Sequence, residues 1–92
     1  MAQLPDGTKI DGTVLLNLGI KSYNEGALDA ALAQFERAVT ENPQLPEAYY
    51  FRGLAHLALG HTAEARADFE KLLEIAPDHA RAAEAREFLA SM

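Results

Sequence analysis

The segment "AQFERAVTENP" at residues 33–43 is echoed by "ADFEKLLEIAP" at residues 67–77, 34 residues further on. Both open with Ala, carry Phe third and Glu fourth, place a basic residue fifth and close on Pro. The echo extends outside the phrase: Gly19 matches Gly53, Gly26 matches Gly60, Ala31 matches Ala65, and Ile20/Leu54 and Val39/Leu73 are conservative pairs at the same offset. A fixed period of this length marks a repeat architecture in which one supersecondary unit is used twice. The matches fall on small and apolar residues, so packing geometry is what is being repeated.

Each unit reads as two helices. In the first, Val14, Leu15, Leu18 and Ser22 share a helical face, with Leu16, Ile20 and Tyr23 beside it. "NEG" at 24–26 ends that helix, and Gly26 suits a left-handed C-terminal cap. Leu28, Ala31, Leu32, Phe35, Ala38 and Val39 then recur at spacings of three and four, the period of an amphipathic helix. Pro43 and Pro46 stop it and open the next, since a first-turn proline wastes no N–H. In the second unit Ala48, Tyr49, Arg52, Ala55 and His56 mark the first helix. Thr62 is the expected N-cap of a helix carrying Ala65, Phe69, Leu72 and Leu73. Asp78 is the expected cap of a last helix whose buried stripe is Ala82, Ala85, Phe88 and Leu89. No strand-like alternation occurs, so the fold is expected to be all-α.

A 34-residue helix–turn–helix period with small residues at close crossings and a terminal proline resembles the tetratricopeptide repeat. That family's pattern is Trp-x2-Leu-Gly-x2-Tyr, then Ala-x3-Phe, then Pro. The first unit supplies Leu15, Leu18, Gly19, Ser22, Ala31, Phe35 and Pro43. The second supplies Tyr49, Arg52, Gly53, His56, Ala65, Phe69 and Pro77. Leu15 and Tyr49 replace Trp, Arg52 replaces Leu, and Ser22 and His56 replace Tyr. The resemblance implies antiparallel helix pairs stacked as a short right-handed α-solenoid of about five helices. The expected divisions are an irregular leader at 1–11, units at 12–45 and 46–77, and a capping helix at 78–92.

In this family the first helix of each unit lines a concave groove that binds a peptide or helix of another protein. The resemblance places Leu16, Ile20 and Tyr23 there from the first unit, and Tyr50, Leu54 and Leu57 from the second. Asn17 sits beside the row with an amide for a ligand backbone. Family members that clamp a terminal carboxylate use lysine, arginine and asparagine, whereas Leu16, Ile20, Tyr50 and Leu54 stand here. An apolar segment is therefore the expected ligand. The alternatives are packing of these residues within the chain, an assembly role, and shielding of a hydrophobic client segment. Solenoids generally need about three units to bury a continuous core. With two, the outer side of the first unit is expected to be covered only weakly, by Leu4 and Ile10 of the leader, and to favour self-association or a longer scaffold.

Other chemistry is disfavoured. Net charge is −6, with three basic and six acidic side chains in residues 1–46 and five and eight in 47–92. No basic cluster forms, which argues against nucleic acid and anionic lipid as partners. No apolar run approaches the roughly 20 residues of a membrane span. No basic region followed by an apolar stretch opens the chain, so a cytoplasmic location is expected. Absence of cysteine removes thiolate metal sites and thiol nucleophiles. His56 stands where the family packs an aromatic and reads as a partly buried structural imidazole. His61 falls in a turn and His79 at the start of the last helix, both as surface residues. No two histidines have helical metal-pair spacing. Glu36, Glu41, Glu70 and Glu74 read as solvated faces of second helices. No cofactor, metal or enzymatic activity is expected.

Overall fold

A computed structural model describes residues 12–92 as five helices. They are α1 (Gly12–Asn24), α2 (Leu28–Glu41), α3 (Pro46–Ala58), α4 (Thr62–Ile75) and α5 (Ala82–Ser91). No strand occurs among the described residues. The leader, with Leu4 and Ile10, lies outside them.

Helix pairs are made by matching turns. Gly26 and Gly60 both have φ near +81°, a conformation that only glycine adopts without strain. At the first turn the Ala27 N–H donates to Ser22 O (2.9 Å) and the Gly26 N–H to Tyr23 O (3.0 Å). At the second the His61 N–H donates to His56 O (2.7 Å) and the Gly60 N–H to Leu57 O (3.0 Å). This is the Schellman pattern, which satisfies carbonyls left open at a helix end and reverses the chain. Pro46 occupies the first turn of α3 as expected. The Tyr49 hydroxyl donates to Pro43 O (2.8 Å), tying α3 to the turn that precedes it.

Two apolar clusters result, one per helix pair, and each borrows small residues from the next helix. Leu15, Leu16, Ala31, Phe35 and Ala38 are joined by Ala48 and Ala55 of α3. Tyr49, Tyr50, Ala65, Phe69 and Leu72 are joined by Ala82 and Ala85 of α5. Val39 and Phe51 pack against both, so the core is continuous along the stack. The Phe69 ring stacks on Phe88 of α5 at 5.0 Å.

Three local expectations are corrected. Thr62 is the first residue of α4 and His61 its cap, with no side-chain capping bond, because the Schellman turn already fixes the entry to the helix. Asp78 does not cap α5, which begins at Ala82. Residues 76–81 form turns instead, with the His79 N–H on Ala76 O and the Ala82 N–H on His79 O. His79 therefore precedes the helix, accepts the Arg81 N–H at Nδ1 (3.0 Å) and approaches Glu47 at Nε2 (3.4 Å). Finally, Val14 and Leu18 do not share Leu15's burial and are 38% and 45% exposed. Their counterparts, Ala48 and Arg52, lie where α3 meets α2; among the described residues no helix precedes α1.

Candidate functional site

The first helices of the two pairs, α1 and α3, touch each other directly as well as packing on α2. Ile20 and Tyr23 of α1 and Leu54 and Leu57 of α3 are all half-buried, and Asn17 is exposed. Half-burial fixes these side chains against the core clusters while leaving part of each open to solvent.

Leu16 and Tyr50 are placed differently, at 7% and 4% exposure. Leu16 belongs to the first core cluster. Tyr50 is covered by α5: its hydroxyl donates to Glu84 Oε2 (2.9 Å), and the Arg81 guanidinium lies 4.9 Å from its ring centroid. Arg81 also bonds Glu84 Oε1 (3.0 Å), so the three residues form one network between α3 and α5. Burial, then the bond to Glu84, raises the Tyr50 phenol above its ordinary value. The same bond, then Arg81, holds Glu84 below the ordinary carboxylate range.

Phe51 and Phe88 stand at repeat-related positions. Phe51, half-buried at the counterpart of Asn17, packs 5.2 Å from Tyr50 and 6.0 Å from Phe35. Phe88, the counterpart of Leu54 one unit further on, borders a hollow of about 290 Å³ with Glu84, Glu87 and Ser91. The 34-residue offset from Asn17 and Leu54 was the signal for both.

A second, polar constellation occupies a cleft of about 460 Å³ bordered by α2, α3 and α4. Asp68 is 3% exposed and carries three hydrogen bonds from Arg52, the shortest 2.6 Å from Nη2. These bonds raise the Arg52 pKa and keep the guanidinium charged. His56 is buried as expected, with Nε2 3.9 Å from Asp68 Oδ2 and Nδ1 3.1 Å from His61 Nδ1. Burial lowers the His56 pKa below its ordinary value, against the pull of Asp68. His61 is exposed in its turn. The sequence reading missed Asp68, although the units co-vary there: Ser22 Oγ bonds Gln34 Oε1 at 3.0 Å in the first, and His56 and Asp68 take the same two places in the second.

Among the described residues no group of three or more His, Cys, Asp or Glu side chains is arranged to hold a metal ion. No helix among them is long and apolar enough to cross a membrane. Glu36, Glu41, Glu70 and Glu74 are exposed.

A family model described as tetratricopeptide repeat matches residues 18–90. The chain belongs to the tetratricopeptide-repeat family. DnaJ homolog subfamily C member 3 from Bos taurus is similar to this tetratricopeptide-repeat chain, 38% identical over 72 residues. Those residues cover 78% of the chain and 14% of that relative, so the chain spans a small part of the relative's length. Tetratricopeptide-repeat domains are in general protein–protein interaction modules, typically without enzymatic activity.

Proposed function

We propose that this tetratricopeptide-repeat chain binds a peptide or helix of a partner protein in an apolar groove lined by its first helices. The observation that supports the reading is that Ile20, Tyr23, Phe51, Leu54 and Leu57 are half-buried apolar side chains on the adjoining helices α1 and α3. Such a row offers pre-ordered apolar area, so a ligand loses its own freedom on binding while the receptor loses little. An amphipathic helix or an extended apolar segment fits it better than a charged terminus, because α1 and α3 place no lysine or arginine within the row. Tyr50 and Leu16 act underneath, as support. The chain acts as a non-enzymatic module in the cytoplasm.

Selection from a displayed peptide library tests this. Enriched peptides are expected to be rich in apolar residues and to lose binding to Leu54→Glu, while Glu70→Lys on an exposed part of α4 keeps it. A library yielding nothing that Leu54→Glu weakens overturns the reading.

The exposure of Leu18 favours a second reading, assembly through the outer face of α1. Its counterpart Arg52 borders the α2–α3 junction, so a helix of another unit or another chain suits the same place. Sedimentation across concentration tests the self-association form. A strict monomer at high concentration removes it.

A further inference from the structure

The His56–His61 contact is used neither by the fold's repeat logic nor by the apolar row. At 3.1 Å the two Nδ1 atoms form one hydrogen bond, in which one ring donates and the other accepts. Electrostatics assigns the roles. The Nε2 atom of His56 faces the Asp68 carboxylate, which favours a proton on that nitrogen. His56 Nδ1 is then the acceptor and His61 Nδ1–H the donor. The side-chain bond lies across the turn already closed by the His61 N–H on His56 O at 2.7 Å.

We propose that this histidine pair is an acid-sensitive latch on the α3–α4 turn, held while either ring stays neutral and released when His56 and His61 are both protonated. The bond survives one positive charge: a proton added at the exposed His61 Nε2 leaves the donor in place. It does not survive two, because a proton on His56 Nδ1 removes the acceptor and sets two imidazolium rings 5.3 Å apart.

The surroundings do not neutralise that second charge. From α3, Arg52 adds a further cation. From α4, Asp68 faces the pair but is already engaged in three bonds with Arg52. Glu64 of α4 and Glu36 of α2 line the same cleft, yet both are exposed and their fields are screened by water. The lowered affinity of His56 for a proton agrees with this balance, with burial its largest cause. A histidine that folds neutral stabilises fully above its unfolded value of about 6.5, and the contribution falls away as pH drops below that value. Release is thus expected on the acid side, with His61 swinging into solvent.

Ring-nitrogen and amide NMR of the full chain between pH 7.5 and 5 tests the latch. His56 is expected to be the Nε2–H tautomer at pH 7.5 and to titrate below the ordinary value. The amides of Leu59, Gly60 and His61 should shift with the same midpoint while those of α1 stay still. His61→Ala alters an exposed residue whose side chain makes no capping bond, so it leaves the fold intact. It should raise the His56 midpoint by about half a pH unit or more and uncouple the turn amides from it. The proposal is overturned by a His56 midpoint that His61→Ala leaves unchanged, by turn amides that ignore His56, or by α1 amides that move in step with them.

Discussion

The Phe69 ring rests directly on the backbone of Gly53: a Cβ added to that glycine would fall 2.8 Å from Phe69 Cε1 and 2.9 Å from Cζ. Gly19 stands in the same relation to Phe35, still more tightly. Each pair lets α1 meet α2, or α3 meet α4, at backbone distance, and both phenylalanines are fully buried as a result.

Gly19→Ala should therefore destabilise the chain even though alanine is the better helix former. The propensity gain is about 1 kcal/mol, whereas forcing a methyl into a filled core costs about 1–3 kcal/mol. Phe35 is fully buried and its ring meets Phe51, so it has little room to retreat. A net loss of up to about 2 kcal/mol is expected by urea unfolding. A gain in stability would show that the ring moves freely.

Phe69→Ala removes a ring that meets Tyr50 at 6.1 Å and Phe88 at 5.0 Å. The cavity should cost about 3–5 kcal/mol, a large share of the stability of a small domain. Calorimetry should show a strongly lowered Tm, with loss of α5 packing as its first sign.

Arg52→Leu leaves Asp68 buried without its partner and should cost about 2–4 kcal/mol. The lower end is favoured because the Arg52 side chain is 23% exposed and water replaces part of the pair. Adding Asp68→Gln installs the first unit's residues at both places, Leu18 and Gln34, and should recover most of the loss. A double-mutant cycle by chemical denaturation measures the coupling. Additive losses would mean that the two residues act separately.

The larger features of the fold were legible in the sequence for a physical reason. Gly19, Phe35, Pro43 and their counterparts serve backbone approach and chain reversal, and few residues satisfy either. The five-helix pattern follows from the same spacing, while of the stripe expected on α5 Ala82 and Ala85 are buried and Phe88 and Leu89 are half-buried. Helix starts were less legible: Thr62 and Asp78 have the chemistry of caps, but backbone turns had already satisfied the groups they would have capped. Tyr50 illustrates a different limit. Its position within α3 was readable, but its burial depends on residues at and beyond the start of α5, Arg81 and Glu84 among them, more than 30 residues away, and no local pattern contains that. Asp68 was hidden similarly, since a lone acid on an amphipathic helix reads as solvated until Arg52 is seen beside it.

The Tyr50–Glu84–Arg81 network should loosen in acid. The Tyr50 hydroxyl, then Arg81, holds the Glu84 carboxyl below its ordinary value, so its contribution is present above the unfolded carboxylate value and is lost as pH falls through the folded one. Below about pH 4, amides of α5 should lose hydrogen-exchange protection before those of α2. Tyr50→Phe should weaken this pH dependence. An acid limb identical in that variant would remove the tyrosine from the explanation.

The proposed seat of the partner is the apolar row on α1 and α3. Titrating the labelled chain with a library-selected peptide and mapping amide shifts tests it most directly. The largest shifts are expected to centre on Ile20, Tyr23, Phe51, Leu54 and Leu57, and Leu54→Glu is expected to abolish them. Shifts centred on the outer face of α1 around Leu18, or unaltered by Leu54→Glu, would contradict it.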